Sequence, residues 1–167
     1  TALLGTALSY VTAYLTARMR SSLSRLIHLL ALTFMAIPGL VLGLSYAMTF
    51  KETFIYGTVA IMIMANVAHF LSSPYLMMYN SFGKMNRNLE AVGETLGIGR
   101  LRMIKDVFIP QNISTILEMF SYLFVNAMMT ISAVSFLATT TTRPISLMIS
   151  QFKDSVGGME LAAVVSL

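Results

Sequence analysis

The polar side chains best suited to binding chemistry lie inside apolar segments of the sequence. Asn66 and His69 are three residues apart, so a helix would place both on one face. Asn126 lies in a later apolar segment. A polar side chain in such a setting either hydrogen bonds to a neighbouring helix or lines a wet pathway through the bundle. Interhelical hydrogen bonding is the commoner role, and lining a pathway is the alternative.

The sequence lacks the residue groupings that catalysis or a metal centre would need. It contains no cysteine, which excludes a thiol nucleophile, a disulfide and a cysteine-based metal site. Neither a His-Glu-x-x-His nor a Gly-x-Ser-x-Gly arrangement is present. We therefore expect no catalytic residue, no metal and no cofactor, and the protein is not predicted to be an enzyme.

The most distinctive spacing lies in one polar interval, residues 80–112. Asn88 is suited to cap a helix over residues 89–96, and Glu90 falls in the first turn of that helix, where it complements the helix dipole. Gly97 is placed where a C-terminal glycine would end the helix. The interval is therefore predicted to begin with a short capped helix.

A second helix is predicted to follow a turn at Ile98 and Gly99, and to run from Arg100 until Pro110. Its apolar residues share one face: Leu101, Ile104, Val107 and Phe108. Small residues at the bend would let another protein approach the backbone closely. The alternative is that both helices simply lie on the lipid surface.

The elements that position these residues are long apolar segments. The chain has 167 residues, of which 56% are hydrophobic and 11% are charged, whereas soluble proteins carry about 25% charged residues. Residues 26–50, 53–83 and 119–142 contain no Asp, Glu, Lys or Arg. About 20 apolar residues in a helix cover the hydrocarbon core of a bilayer. The composition therefore predicts an integral membrane protein and excludes a soluble domain or a disordered chain.

Four helical spans are predicted, over residues 1–17, 26–47, 56–78 and 113–137. Ile37-Pro38-Gly39 should kink or break the second span, and Pro74 lies near the far end of the third. An apolar stretch over residues 145–152 is too short to span a bilayer, and a last helix opens near Gly158. The expected fold class is an all-α polytopic transmembrane helical bundle.

The distribution of basic residues predicts the orientation of the bundle. One side holds eight of them: Arg18, Arg20, Arg25, Lys84, Arg87, Arg100, Arg102 and Lys105. The other side holds three: Lys51, Arg143 and Lys153. Because basic residues favour the cytoplasmic side, residues 80–112 are predicted to be cytoplasmic. The basic clusters lie between apolar runs, as topology signals do, so the net charge of +4 is not interpreted as nucleic-acid binding.

The polar interval resembles the cytoplasmic signature of permease subunits of ATP-binding-cassette importers, the MetI-like permeases. That signature is Glu-Ala-Ala, three residues, Gly, nine residues, then Ile-x-Leu-Pro. Here Gly97 is followed by nine residues and then by Val107-Phe108-Ile109-Pro110. Ala91-Val92-Gly93 stands where Glu-Ala-Ala is expected. The acid is therefore displaced, and either Glu90 or Glu94 would take its place.

Further matches cover essentially the whole chain. Residues 9–18 resemble the end of the preceding helix of the family, where an aromatic–Ala–Leu pattern meets a cytoplasmic Arg. Residues 36–43 resemble the Pro-Gly helix of the iron(III), polyamine and aminophosphonate branches. Residues 143–163 resemble the outer loop and final helix of those branches.

The resemblance implies a permease domain that does no covalent chemistry itself. The domain would cover residues 1–167 and be truncated at both ends, in the cell membrane of a prokaryote, crossing it several times. Residues 80–112, which we call the coupling loop, would contact the ATPase through residues matching the motif: Glu90, Ala91, Gly93, Glu94, Leu96, Gly97, Ile98, Gly99, Arg100 and Pro110.

The resemblance also implies partners and a set of solutes. The partners would be cytoplasmic ATPase subunits, a second permease domain on the same or a different chain, an extracytoplasmic substrate-binding protein and membrane lipid. The solute would be 2-aminoethylphosphonate, ferric iron or a polyamine. The alternative function is an ATP-independent channel or secondary transporter, which would have no need of a docking helix in a cytoplasmic loop.

Overall fold

The computed structural model describes residues 1–18, 22–139, 142–153 and 164, and within these ranges the regular elements are all helical. The longer helices are α1 (Ala2–Arg18), α2 (Ser22–Ala36), α3 (Gly39–Phe50), α4 (Val59–Phe70), α5 (Ser72–Lys84), α9 (Ile113–Met129) and α10 (Ile145–Lys153). The shorter ones are α6 (Leu89–Thr95), α7 (Arg100–Met103), a π turn (Ile104–Phe108) and α8 (Ile109–Gln111). The predicted all-α fold is confirmed. The helix predicted near Gly158 and the matches at residues 157–163 lie outside the described residues.

Two pairs of helices are bent, the first of them at a proline. α2 and α3 meet at 104°, and Pro38 between them is extended, with φ −61° and ψ 138°. Proline has no amide hydrogen and cannot continue a helical hydrogen-bond ladder. The predicted break at Ile37-Pro38-Gly39 is confirmed.

The predicted third span is likewise two helices, since α4 and α5 meet at 50°. The bend lies at Leu71, between Phe70 and Ser72, rather than at Pro74. Pro74 cannot donate to the carbonyl oxygen of Phe70, four residues earlier, so the ladder is interrupted one turn before the proline itself. α5 then continues to Lys84, beyond the predicted end of the span at residue 78.

Among the described helices, none is both long and apolar enough to cross a bilayer by itself. Each of the two bent pairs meets that requirement when its two helices are counted together. Ile113–Met129 is a shorter apolar helix.

The prediction of a fourth span over residues 113–137 is wrong at its end. α9 stops at Met129, and Thr130 is extended, with φ −69° and ψ 134°. Turns follow, and they bury Ala133, Val134 and Leu137 against α3 and α4. A Cβ atom on Gly43 of α3 would lie 2.5 Å from the carbonyl oxygen of Ala133. These apolar residues are buried by tertiary packing of the turns, which the local pattern alone does not distinguish from a continuing helix.

Within the described ranges, the buried apolar residues form two clusters. The first joins α1, α2, α5 and α9 to the coupling loop and contains Ala13, Tyr14, Ala31, Tyr75, Met78, Phe82, Met103, Phe108 and Met119. The second joins α3 and α4 to the turns after α9 and contains Leu42, Ile61, Met62, Ala65, Val134 and Leu137. The first cluster therefore fixes the position of the coupling loop on the bundle.

Candidate functional site

The first helix of the coupling loop ends at Gly97, as predicted. The amide of Ile98 donates to the Gly93 carbonyl oxygen at 2.8 Å, and the amide of Gly97 donates to that of Glu94 at 3.1 Å. This pair of bonds is a Schellman motif, which requires a left-handed residue at its centre. Gly97 has a φ of +68°, which side-chain-bearing residues rarely adopt.

The cap at the start of α6 differs from the prediction. Asn88 precedes the helix, but its side chain makes no capping hydrogen bond. Instead, its backbone amide donates to the Asn86 side-chain oxygen at 2.9 Å. This is an Asx turn, in which Asn86 rather than Asn88 shapes the entry to the helix.

The second helix of the coupling loop is not a continuous α-helix from Arg100 to Pro110. α7 passes at Ile104 into a π turn, in which the amide of Ile109 donates to the Ile104 carbonyl oxygen, five residues earlier. Pro110 has no amide hydrogen to give to Asp106, so the α-helical ladder is already incomplete at this point. Such a turn widens the helix and changes the register of the side chains that follow it.

The predicted apolar face of this second helix is only partly correct. Phe108 is fully buried and Ile104 and Val107 are half-buried, but Leu101 is 84% exposed. Met103, which was not on the predicted face, is 6% exposed and packs against Gly93 of α6. A Cβ atom on Gly93 would overlap the Met103 methyl group, so glycine allows the two helices of the loop to come into contact.

Arg18, at the end of α1, holds the coupling loop to the bundle. Its guanidinium group forms a bidentate ion pair with Glu90, in which Nε donates to Oε1 at 2.5 Å and a terminal nitrogen donates to Oε2. It also donates to the carbonyl oxygens of Asn86 at 2.8 Å and Met85 at 3.4 Å. The Arg18 side chain is only 4% exposed and that of Glu90 is 23% exposed. Bidentate Arg–carboxylate pairs of this kind fix the relative orientation of the two side chains as well as pairing their charges.

The two carboxylates that the sequence left as alternatives have different surroundings. Glu90 is turned toward the bundle and paired with Arg18. Glu94 is 63% exposed, and its nearest cation is Arg100 at 3.4 Å, itself 68% exposed. Glu90 is thus engaged within the chain, whereas Glu94 and Arg100 face outward beside the turn.

Phe108 inserts the second half of the coupling loop into the bundle. Its ring makes edge contacts with Tyr14 of α1 at 5.5 Å and with Phe82 of α5 at 6.0 Å between centroids. The guanidinium carbon of Arg18 lies 5.3 Å from the centroid of the Phe108 ring, within the range of cation–π attraction. One aromatic side chain therefore contacts both helices and the arginine.

Asn112 completes the joint where the loop enters α9. Its side-chain nitrogen donates to the Phe108 carbonyl oxygen at 2.7 Å, and its side-chain oxygen accepts from Ser81 of α5 at 2.5 Å. Asn112 is 2% exposed. The Asn112 side chain thus hydrogen bonds to a carbonyl group near the π turn, where the helical hydrogen-bond ladder is interrupted. It also connects α5 to the start of α9.

Part of the outward surface of the loop is apolar, although the loop as a whole is polar. Four side chains near the bend are exposed by 36–84%, and we call them the apolar tip: Val92, Leu96, Ile98 and Leu101. Ala91 is exposed beside them. Exposed apolar patches on a rigid element mark interaction surfaces.

The three residues considered for a pathway lie in different surroundings. Asn66 lines a cavity of about 330 Å³ together with Arg143. His69 lies at the α2–α3 bend, where its Nε2 would be 3.0 Å from a Cβ atom on Gly39. Asn126 donates to the carbonyl oxygen of Tyr122 within its own helix, at 2.8 Å. Of the three, Asn66 is the one that the structure brings together with a charged side chain.

The sequence did not indicate that Arg18, Phe108 and Asn112 connect the coupling loop to the bundle. The Arg18–Glu90 pair links positions 72 residues apart, and no local pattern indicates such a contact. The sequence offered one signal for this joint. Asn112 is a polar residue two positions after Pro110, at the start of an apolar helix. In the described part of the chain, no three His, Asp or Glu side chains are grouped so as to hold a metal ion.

By length and composition, each of the two bent helix pairs could cross a membrane. The chain belongs to the family described as binding-protein-dependent transport system inner membrane component, which matches residues 5–167. This family consists of transport-system components rather than enzymes. The predicted MetI-like permease family and the membrane location are thereby confirmed.

A curated relative gives a more particular comparison. The chain is 27% identical over 153 residues to the ferric transport system permease protein FbpB of Actinobacillus pleuropneumoniae. The match covers 90% of this chain and 22% of that relative. The chain therefore spans about a fifth of the length of the relative it matches.

Proposed function

We propose that this chain is a transmembrane permease unit of an ATP-driven solute importer. It crosses the cell membrane of a prokaryote several times, forms part of the translocation pathway and docks on a cytoplasmic ATPase through the coupling loop. The main support is the loop itself, whose inner residues are bonded to the bundle and whose apolar tip is left exposed.

The contacts of the loop suit it to transmit movement. Arg18 connects α6 to α1, Phe108 connects the π turn to α1 and α5, and Asn112 connects the loop to α5 and α9. A displacement of the apolar tip by a closing ATPase dimer would therefore move three helices of the bundle together. A loop lying loosely on lipid would have no need of these buried polar bonds, whose desolvation is costly unless every group is paired.

The coupling residues divide into two sets under this proposal. Glu90, Gly93, Gly97, Gly99 and Pro110 shape and position the loop. Ala91, Glu94, Leu96, Ile98 and Arg100 contact the ATPase, and Leu101 and Val92 join them as exposed apolar neighbours. Glu90 thus takes the place of the displaced acid of the signature as a positioning residue, while Glu94 offers a charge at the docking surface.

The family and the relative support the remaining partners and one of the candidate solutes. A family named for binding-protein dependence supports an extracytoplasmic binding protein, and two permease domains, identical or different, would enclose the pathway. FbpB, named as a ferric transport permease, supports ferric iron among the candidate solutes. 2-Aminoethylphosphonate and polyamines remain the other candidates.

A charge placed on the apolar tip tests the docking proposal. Leu101→Asp changes a side chain that is 84% exposed, so the fold should be unaffected. Burying the new carboxylate against a partner would cost at least about 1.4 kcal/mol, or about tenfold in affinity. We expect about tenfold less ATPase subunit to co-purify with full-length protein in mild detergent, with a matching loss of transport.

Phe54→Asp is the matched control, because Phe54 is 90% exposed and lies between α3 and α4, away from the coupling loop. It should leave ATPase retention unchanged. Equal retention in the two variants would contradict docking at the tip. A wild-type protein that transports without any ATPase would favour the channel or secondary transporter instead.

A further inference from the structure

The outer surface of α9 is divided lengthwise into an apolar side and a polar side. The apolar side carries large exposed side chains: Ile113, Leu117 and Phe124. The polar side carries Ser114, Glu118 and Ser121, all of them exposed. Their spacing of four and then three residues places them in one row along the helix. We call this row the Glu118 stripe.

Glu118 is a carboxylate without a partner in the described part of the chain. It is the one charged residue of the sequence between Asp106 and Arg143. The ion pairs among the described residues use the carboxylates of Glu90, Glu94 and Asp106 instead. The Glu118 side chain makes no hydrogen bond to a described residue either. It is therefore an exposed, unpaired charge on an apolar helix.

Water is the best covering for this carboxylate. An acidic side chain that faces hydrocarbon is costly, and such side chains normally pair with a cation or face a wet cavity. The apolar runs of a second copy of this chain could not supply the cation, since residues 26–50, 53–83 and 119–142 contain no Lys or Arg. The Glu118 stripe is thus suited to the wall of an aqueous passage.

The neighbouring contact between α9 and α5 is also polar. The Thr115 hydroxyl donates to the Ser81 oxygen at 3.4 Å, and the Tyr122 hydroxyl donates to the Ser73 oxygen at 3.2 Å. Thr115 lies three residues before Glu118 and Tyr122 four residues after it, so both are its neighbours on the helix. The surface rich in hydroxyl groups therefore extends from the Glu118 stripe onto α5.

We infer that the Glu118 stripe faces the water-filled part of the translocation pathway, where Glu118 attracts a solute that carries an ammonium group. A carboxylate and serine hydroxyls all accept hydrogen bonds from an ammonium group. A multivalent metal ion fits less well, because it takes several oxygen ligands, and the described His, Asp and Glu side chains form no group of three. The inference rests on the proposed permease function and specifies the class of solute.

The Glu118 stripe discriminates among the three candidate solutes. A polyamine carries several ammonium groups and is attracted most strongly. 2-Aminoethylphosphonate carries one ammonium group and an oxyanion that Glu118 repels. A ferric chelate such as ferric citrate is an anion without an ammonium group, so it should not bind at the stripe.

Thiol labelling tests whether this side of α9 faces water. The chain has no cysteine of its own, and full-length protein without other cysteines would be held in lipid nanodiscs, which leave both membrane faces open. Val125 continues the row about 10 Å beyond Glu118. Its neighbour Phe124 lies on the apolar side, and the two side chains are 50% and 52% exposed.

Thiols react as thiolates, which apolar surroundings disfavour. Val125→Cys should therefore react at least about tenfold faster than Phe124→Cys with 2-hydroxyethyl methanethiosulfonate, an uncharged reagent. Equal rates would mean that lipid or another protein segment covers the row, which would overturn the inference.

A second labelling experiment measures the charge of the surface. Ser121→Cys places a thiol one turn from Glu118. The two reagents are 2-(trimethylammonium)ethyl methanethiosulfonate, a cation, and its 2-sulfonatoethyl analogue, an anion. After each rate is normalised to that with free thiol, the cationic reagent should be about threefold to tenfold faster.

Adding Glu118→Gln should abolish this preference for the cation. Glu52→Gln removes an equal charge from an exposed position between α3 and α4, and should preserve the preference. If the preference is missing, or if it survives Glu118→Gln, the role given to Glu118 is wrong. Ser114→Cys, another position in the stripe, repeats the test if Ser121→Cys does not fold.

Protection from labelling by the uncharged reagent N-ethylmaleimide identifies the solute class, at an ionic strength held constant with NaCl. Spermidine at about twice its dissociation constant should slow labelling of Ser121→Cys about threefold, and Glu118→Gln should weaken this protection. Protection by 2-aminoethylphosphonate but not spermidine supports a zwitterionic solute. Protection by ferric citrate alone, or by none of the three, overturns the inference. No step requires the ATPase, so these outcomes are independent of the docking test.

Discussion

At the scale of single residues, Arg18 is the side chain on which most of the loop geometry depends. It pairs with Glu90, bonds to two carbonyl groups and lies over the Phe108 ring. Lysine could not replace it, because a point charge lacks the planar fork that serves a carboxylate and two carbonyls together. Arg18 matters mainly because it fixes the orientation of the coupling loop. A partly buried ion pair is by itself weak evidence for a more stable fold.

Removing Arg18 should therefore be far more damaging than removing an exposed arginine. Arg18→Gln leaves Glu90 and the Met85 and Asn86 carbonyls without their donor, and we expect a loss of about 1–3 kcal/mol. Arg102→Gln breaks an ion pair with Asp106 whose side chains are 79% and 53% exposed, and should cost about 0.5 kcal/mol at most. Denaturant unfolding of the purified protein compares them, and equal losses would contradict the role given to Arg18.

At the scale of elements, the coupling loop combines one turn that the sequence specifies and one that it does not. Gly97 is required by the left-handed conformation of the Schellman motif, a local constraint that its spacing from the helix already indicated. Pro110 leaves the helical ladder incomplete at Ile104–Phe108, but the π turn formed there places Phe108 between Tyr14 and Phe82, which no local pattern indicates. The predicted apolar face also included Leu101, which is 84% exposed, and left out Met103, which packs against Gly93 of α6, a contact that the local pattern does not indicate.

The conformational requirement at Gly97 can be separated from any steric one. A Cβ atom at Gly97 or at Gly99 would meet no other group within 4 Å, but only Gly97 has a positive φ, since Gly99 has a φ of −63°. Gly97→Ala should cost about 1–2 kcal/mol, while Gly99→Ala should be close to neutral. The change in unfolding midpoint measures both, and a neutral Gly97→Ala would mean that the turn adopts another conformation.

At the scale of the whole molecule, the two apolar clusters divide the bundle into a part that holds the loop and a part that holds the turns after α9. Length, hydrophobicity and the position of Pro38 predicted the helical class and the break between α2 and α3. They did not predict where α9 ends, because Val134 and Leu137 are as apolar as residues inside a helix. They placed the Glu90 and Glu94 carboxylates on one short helix, but only the folded chain distinguishes their surroundings.

The second cluster should depend on close approach at Gly43. Gly43→Ala would place a methyl group 2.5 Å from the Ala133 carbonyl oxygen, and a backbone group cannot move aside cheaply. We expect a loss of about 1–3 kcal/mol. Gly83→Ala, in α5 with open space around it, should gain up to about 1 kcal/mol from reduced chain entropy. Thermal unfolding in detergent compares the two, and a stabilising Gly43→Ala would refute the packing described for residues 131–138.

The bonds that Arg18 and Asn112 make have a consequence for how a partner would associate. A flexible loop would lose conformational entropy on docking, and part of the binding energy would be spent on ordering it. Here the chain itself has already ordered the loop before any encounter. Substitutions at Arg18 or Asn112 should therefore weaken association mainly through a more unfavourable binding entropy, visible by calorimetry, with the contacted surface unchanged.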